Sequence, residues 1–383
     1  MKNNYTLKIE DIPVKEAHKL DLNKLSGFLT GKLENFSGIK KIGQFNGGQS
    51  NPTFVIECLE GYRHVLRKKP PGKLLPSAHA VDREYRVQKA LYETDVPVAK
   101  MYLYCEDENI IGTAFYLMEY LEGRVFEDTT LPGHTSEDRT DIYNSMNETL
   151  AALHTIKPED VGLENFGRPG SYFLRQLKRW SQQWELSKQQ DIPEMPLLID
   201  WLSKNIPDSD ETTIVHGDYR LGNLIYDLNE PKVIAVLDWE LSTLGHPLAD
   251  LGYSLMLHEE DSEVRAGFSL KNLDLEGLGI PTKNYLVQKY CEMVDREVIN
   301  PNFYIAHYNL GILYKSIGKF QESKKCLREA IKLYPPFYSA HRAYSQMNKY
   351  KINDKHINEM KELYNENRID TSGKIELAFG LGK

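Results

Sequence analysis

Residues His216 to Asp227 read HGDYRLGNLIYD, and the next apolar run, VIAVLDWE, ends at Glu240. NLIYD and VIAVLDW are short strand-like segments separated by the turn residues Asn229, Glu230 and Pro231. Pairing them as a hairpin brings Asp218, Asn223 and Asp238 to one spot. Two carboxylates gathered there repel each other, and neither a turn nor a strand needs them unless a cation joins them. An Asp that caps a helix and an Asn that closes a bend would account for HGD alone, and would leave Asp238 unexplained.

Around this run, 383 residues exceed the usual size of one domain, so two or more units are expected. A net charge of −8 opposes a general attraction to nucleic acid or anionic membrane. The N-terminus MKNNYTLKIEDIPVKE lacks the apolar core of a secretory signal. No window approaches the roughly 18 uninterrupted apolar residues of a membrane span. Cys58, Cys105, Cys291 and Cys326 form no CxxC pair and no cluster of zinc spacing. They read as reduced packing thiols of a cytoplasmic protein.

The spacing of Leu20, Leu25, Leu29 and Leu33 predicts a helix over 14–36. IKKIGQF, PTFVIECLE and YRHVLRKK predict three strands, joined by the loop from Asn46 to Asn51 and the turn Glu60-Gly61. AHAVDREYRVQKALYE is a helix with Ser77 as its candidate N-cap. VAKMYLYC and TAFYLMEYL are further strands around the polar turn EDENIIG. DRTDIYNSMNETLAALHTI, SYFLRQLKRWSQQWE and PLLIDWLSKNI then carry helical patterns. Strands and helices segregate as in an α+β protein, with expected divisions 1–120, 121–300 and 301–383.

The last division changes character. Ala306, Leu310, Gly311, Tyr314, Gly318, Phe320, Leu327, Ala330 and Pro335 match the small, aromatic and terminating positions of a tetratricopeptide unit. Tyr314 and Phe320 are expected to fill the space between its paired helices. Leu381-Gly382 recur about two repeat lengths after Leu310-Gly311, which predicts a final repeat cut inside its first helix with part of its apolar stripe uncovered.

Asp218 and Asn223 stand five residues apart, the spacing of the Asp and Asn in the protein-kinase catalytic loop. There the Asp orients or deprotonates the attacking hydroxyl, and the Asn oxygen holds magnesium, a hard ion that takes few protein ligands. Asp238 is the second carboxylate for that ion. Gly47 and Gly48 permit a backbone close enough to offer N–H groups to phosphate, with Gln49 and Ser50 as added donors. No GxxxxGK[ST], GxGxxG or GxSxG pattern competes with this reading.

HGDYRLGNLIYD followed by VIAVLDWELSTLGHPLADLGY, together with VLRKKPPGKLLPSAHAVDREYRVQKAL and FYLMEYLEGRVF, resembles the phosphotransferase family typified by aminoglycoside kinases. The likeness is to the branch found attached to, or beside, acyl-CoA dehydrogenases. It covers about residues 20–295. It implies a protein-kinase-like, two-lobed fold that binds ATP and magnesium, with Asp218 as catalytic base and Asn223 and Asp238 as metal ligands. It also implies a hinge, Met118 to Leu121, in which Glu119, Tyr120 and Leu121 hold adenine, and an Arg67–Glu84 pair on the phosphates. Arg67 stands where kinases usually have Lys. His216 would brace the loop, while Tyr219 and Arg220 would meet the acceptor.

The acceptor implied is a small-molecule hydroxyl, with a hydroxyacyl-CoA or related hydroxy acid as the finer expectation. Lys68, Lys69, Lys73 and Arg220 are the candidate basic contacts. The competing reading is a nucleotide-binding scaffold without chemistry, whose repeats present a groove to a protein partner. Neither nucleic acid nor membrane is expected as a partner.

Overall fold

The protein is described by a computed structural model covering residues 9, 12–45, 51–70, 80–207, 209–258, 269–296, 307–308, 311–312, 314–315, 318–350, 354–365, 369 and 371–382. The chain divides into two compact units, residues 1–172 with 209–298, and residues 173–208 with 299–383.

In the first unit β1 (Ile39–Gln44), β2 (Thr53–Cys58), β3 (Arg63–Lys68), β4 (Met101–Cys105) and β5 (Phe115–Glu119) form an antiparallel sheet of order β1-β2-β3-β5-β4. Alternation sorts its two faces. Phe54, Ile56, Leu66, Phe115 and Leu117 pack against Leu25 and Leu29 of α1 (Leu22–Leu29). Each such side chain, fully buried, contributes about 1.5–3 kcal/mol. Val65, Tyr116 and Met118 face the other way, toward Val81 of α2 (Val81–Leu91).

The helix predicted over 14–36 is shorter, a single turn at Glu16–His18 followed by α1. Asp21 caps α1 by accepting from Lys24 N at 3.1 Å, and Gly31 at φ 77° turns the chain out of it. Inside EDENIIG lies one helical turn, α3 (Glu108–Ile111), closed by Gly112 at φ 82°. Ser77 lies outside the described residues, and α2 starts after Ala80 without a side-chain cap.

The remainder of this unit is mainly helical: α4 (Ser136–Thr155), which opens with a capping box between Thr135 and Asp138, and later α7 (Pro247–Leu255), α8 (Leu275–Leu278) and α9 (Lys283–Met293). Between them sit two small antiparallel pairs, β6 (Thr213–Val215) with β9 (Thr243–Gly245), and β7 (Leu224–Tyr226) with β8 (Val233–Val236). The second pair is the hairpin read from NLIYD and VIAVLDW.

The second unit holds α5 (Tyr172–Ser187) from Phe173 onward, α6 (Glu194–Lys204) and the C-terminal helices Phe320–Leu333, Tyr338–Ser345, Lys355–Tyr364 and Thr371–Leu381. The contact pattern thus groups α5 and α6 with the C-terminal helices, apart from the 121–300 segment in which the sequence places them. Gly311 permits close approach, since a Cβ there would lie 2.7 Å from Leu327 Cγ. Leu327 is fully buried, and Ala330, Ile331 and Ala340 form a core closed by Tyr308 and Phe337, whose rings meet edge-on at 4.9 Å. Phe320 does not fill the space between helices; it opens its helix and is 53% exposed. Ala306 and Leu310 lie outside the described residues. On Thr371–Leu381, Leu377 is buried while Ile375 and Phe379 are exposed.

Candidate functional site

The site is built on two charged networks of the first unit. Along β3, period two puts Arg67 on the same face as Val65, away from the Leu66 core. Its Nη2 donates to Asp238 Oδ1 at 2.6 Å, and its Nε lies 2.9 Å from Glu84 Oε2. The Nε–H is not aligned for a hydrogen bond, so the second contact is an ion pair. Glu84, on α2 and almost fully buried, also accepts from Asn51 Nδ2 at 2.7 Å and Tyr116 OH at 2.9 Å. Burial alone would lower the Arg67 pKa, but the Glu84 and Asp238 carboxylates raise it, so the guanidinium stays charged. Burial pushes the Glu84 carboxyl upward while Arg67 and Tyr116 pull against it.

The second network shapes the loop after β6. Asp250, on α7 and 1% exposed, accepts from His216 N at 2.6 Å and Gly217 N at 2.8 Å. His154 Nε2 approaches the same carboxylate at 3.4 Å. Burial pushes Asp250 up, yet His154 and His216 together hold it below its ordinary value. His216 Nε2 donates to Leu237 O at 2.8 Å, which leaves Nδ1 as the acceptor for Asp218 N at 3.2 Å. Its ring also packs edge-on against the buried Trp239 at 4.8 Å. Only glycine fits at 217: φ is +86°, and a Cβ would meet Leu241 O at 2.9 Å.

This frame brings Asp218 and Asn223 together. Asn223 Nδ2 donates to both Asp218 O and Asp218 Oδ2, each at 2.8 Å. The amide nitrogen is thereby committed, and Asn223 presents Oδ1 as its oxygen for a cation. Asp238 follows β8 in the left-handed region at φ 65°, a conformation that costs a non-glycine residue about 1–3 kcal/mol and concentrates at functional positions. Among the described residues no group of three His, Cys, Asp or Glu side chains could hold a metal. Asn223 and Asp238 are the residues that would hold magnesium, an ion that takes few protein ligands and draws its other oxygens from water and phosphate.

Arg220 lies with Nε 3.6 Å from Asp218 Oδ2 and Nη1 3.7 Å from Glu127 Oε2. It lines a cleft with Glu127, Leu221, Tyr253, Met256 and Leu257. Tyr219 does not face this cleft; it is fully buried and donates to Met146 O at 2.7 Å. Lys68 is not a surface contact either, because it sits one residue from Arg67 on β3 and is 4% exposed. Gly47, Gly48, Gln49, Ser50 and Lys73 lie outside the described residues.

At the end of β5, Glu119 N donates to Lys100 O at 2.9 Å, and the Glu119 carboxylate accepts from Lys100 N at 3.3 Å. Tyr120 and Leu121 pack against the Val65–Met118 cluster. Sequence reasoning missed Asp250, Asn51, Tyr116 and His154. For Asp250 a signal existed, a lone acid within the otherwise apolar helix PLADLGYSL. Among the described residues no helix is long and apolar enough to cross a membrane.

A model of the phosphotransferase enzyme family matches residues 41–278, and a tetratricopeptide repeat model matches residues 304–337. Acyl-CoA dehydrogenase family member 11 of Homo sapiens is 42% identical over 301 residues, 76% of this chain and 38% of that protein. Acyl-CoA dehydrogenase family member 10 of Mus musculus is 43% identical over 296 residues, 77% of this chain and 28% of that protein. The chain thus spans well under half the length of these curated relatives. A crystal structure from Ralstonia eutropha JMP134, described provisionally as an aminoglycoside phosphotransferase, is 36% identical with a TM-score of 0.67, covering 95% of this chain and 98% of that one. The streptomycin–ATP complex of APH(2″)-IIa, 16% identical with a TM-score of 0.52 over 82% of this chain and 96% of that one, shares the fold.

Proposed function

The chain belongs to the phosphotransferase enzyme family, and from that premise we propose that it is an ATP- and magnesium-dependent kinase that phosphorylates a hydroxyl of a small molecule. The observation that carries this is a pair of networks: Asn223 holds Asp218 by its amide nitrogen, and Arg67 joins Asp238 to Glu84. A purely structural role would not leave Asp218 and Asp238 with side chains 23% and 31% exposed at strained or glycine-dependent turns.

Asp218 orients the acceptor hydroxyl and takes its proton as the phosphoryl group moves. Asn223 and Asp238 would hold magnesium, which when bound neutralises charge on the transferring phosphate. Arg67 offers a permanent positive charge to the nucleotide phosphates, and Glu84 fixes its position. His216 and Asp250 position the loop without touching the reactants. Residues 47–50 are assigned to the phosphates and Glu119, Tyr120 and Leu121 to adenine, with 1–120 and 121–300 as the two lobes.

We assign the acceptor to the cleft beside Arg220. Its floor of Leu221, Met256 and Leu257 suits an apolar body, and Arg220 suits an acidic end. This supports a hydroxy acid or hydroxyacyl-CoA over an amino sugar, whose amines would seek several carboxylates where Glu127 stands paired. The free thiols of Cys58, Cys105, Cys291 and Cys326 fit a cytoplasmic setting. The repeat helices are assigned to a protein partner.

The test is an acceptor screen with the purified protein, reading ADP release and the mass of the product across hydroxy acids, hydroxyacyl-CoAs and amino sugars. Phosphorylation of an acidic hydroxyl compound is expected. Turnover confined to amino sugars would overturn the acceptor assignment.

A further inference from the structure

On the sheet, Val55 lies opposite Gly43 on one side and Val65 on the other, and Val65 lies opposite Met118. Arg67, two residues beyond Val65 on the same face, reaches Asp238. This face therefore looks into the site, and Val55, Val65 and Met118 form its apolar wall just ahead of Tyr120. A purine held at Glu119 to Leu121 would have to lie against that wall.

The chain covers the Val55 end of this wall with its own side chains. Ile9 and Ile12, 4% and 7% exposed, pack on Val55 together with Phe45 and Tyr120. Phe45 also packs on the cluster that holds Val65 and Met118. Val55, on which Ile9 and Ile12 pack, is 0% exposed, while Val65 and Met118 are buried in the neighbouring cluster with Val81, Ala99 and Met101. Polar contacts fix the cover in register. Gln44 N donates to Ile12 O at 2.8 Å, the Gln44 Oε1 accepts from Lys15 N at 3.0 Å, and Gln44 Nε2 meets His18 Nδ1 at 2.7 Å. Gly43 completes the fit, because a side chain there would come within 2.8 Å of Ile12 Cγ1.

We propose that Ile9 and Ile12 form a built-in plug that competes with the nucleotide base for the Val55 end of this wall, beside Phe45 and Tyr120, and must leave it for ATP to bind. This rests on the phosphotransferase reading above. The plug consists of two aliphatic side chains and a backbone hydrogen bond, and a nucleotide that displaces it gains phosphate contacts in exchange. When the competent form is about one-tenth of the molecules, the apparent nucleotide affinity is about tenfold weaker than the intrinsic one.

The experiment uses the full chain with Ile9→Ser and Ile12→Ser combined, and titrates Mg-ADP by calorimetry. Binding about tenfold tighter than wild type is expected, by removal of the closed form. In the wild type, hydrogen exchange of the peptide containing Ile12 should accelerate when Mg-ADP is added, a readout that does not depend on the variant's folding. Equal or weaker binding by the variant, or slower exchange of that peptide with nucleotide, would show that the segment is a fixed wall of the site and overturn the plug alone. Absence of Mg-ADP binding in both proteins would overturn the plug and the nucleotide reading together.

Discussion

Replacing Asp250 by Asn keeps the volume of the side chain and removes its charge from beneath the loop that carries Asp218. In the native protein the two carboxylate oxygens accept one backbone N–H each, from His216 and Gly217, and the oxygen that takes His216 N also meets His154 Nε2 at 3.4 Å. An amide can accept only one of them, and its NH2 then faces the other donor. Leaving one buried N–H unsatisfied costs about 1–3 kcal/mol, and losing the charge assistance on the remaining bond about 1 kcal/mol more. The expected loss is therefore about 2–4 kcal/mol, which lowers Tm by roughly 5–15 °C for a unit of this size. Because the same N–H groups fix the backbone leading into Asp218, kcat should fall about 100-fold as the base moves off line.

The acid dependence supplies an independent check. The folded Asp250 carboxyl lies below its ordinary value, so its contribution is present above the unfolded carboxylate range, near 3.8, and is lost as pH falls through the lower folded value. Asp250→Asn should flatten that acid limb. Thermal unfolding from pH 7 to pH 3, with ADP release measured at pH 7, reads all three effects. A variant within 2 °C of wild type that retains full turnover would refute the bracing role.

Other substitutions test the remaining groups. Arg67→Ala leaves Glu84 buried without its cation and should cost about 3–5 kcal/mol, whereas Arg67→Lys keeps the charge, loses the fork between Glu84 and Asp238, and should weaken Mg-ADP binding about tenfold by calorimetry. Gly217→Ala forces a Cβ into Leu241 at positive φ, and chemical denaturation should show a loss of about 2–4 kcal/mol. In the second unit Tyr350 OH donates to His356 Nδ1 at 2.6 Å, His356 Nε2 to His341 Nδ1 at 2.9 Å, and His341 Nε2 to Pro335 O at 2.8 Å. Burial lowers both histidines, His356 to about 4, with Arg328 opposing the charge and Glu359 favouring it. Their contribution is thus present above the unfolded value of 6.5 and is lost as pH falls toward 4, by up to about tenfold in the opening equilibrium per pH unit and histidine. Hydrogen exchange of the Phe320–Leu333 helix, corrected for intrinsic rates, should show this loss; a flat profile between pH 7 and 5 would contradict it.

The β7–β8 hairpin was legible because two apolar runs flank the turn residues Asn229, Glu230 and Pro231, while the register shift between Ile225 and Tyr226 left no mark in that pattern. The sheet was legible for the same reason, from short apolar runs such as TFVIEC and FYLME bounded by turn residues. The long helix over 14–36 was misread because apolar spacing persists across Asp21, and spacing alone does not show that an Asp restarts the helix as a cap. Tyr219 illustrates a different limit. A tyrosine beside Asp218 reads as a ligand contact, yet its hydroxyl finds Met146 O within the core, a partner 73 residues away that no local pattern predicts. Asp250 is the same case in reverse: its partners are backbone N–H groups 33 and 34 residues upstream. Phe320 matched a repeat position by type, but as the first residue of its helix it projects past the core.

The most direct measurement is ADP production by wild type and by Asp218→Asn, each with Mg-ATP and the acceptor found in the screen, alongside a Mg-ADP binding isotherm for both proteins. With Asp218 as the base, turnover should fall by about a thousandfold or more while nucleotide affinity and Tm stay near wild type. Turnover retained within tenfold in a folded, nucleotide-binding Asp218→Asn protein would contradict the mechanism.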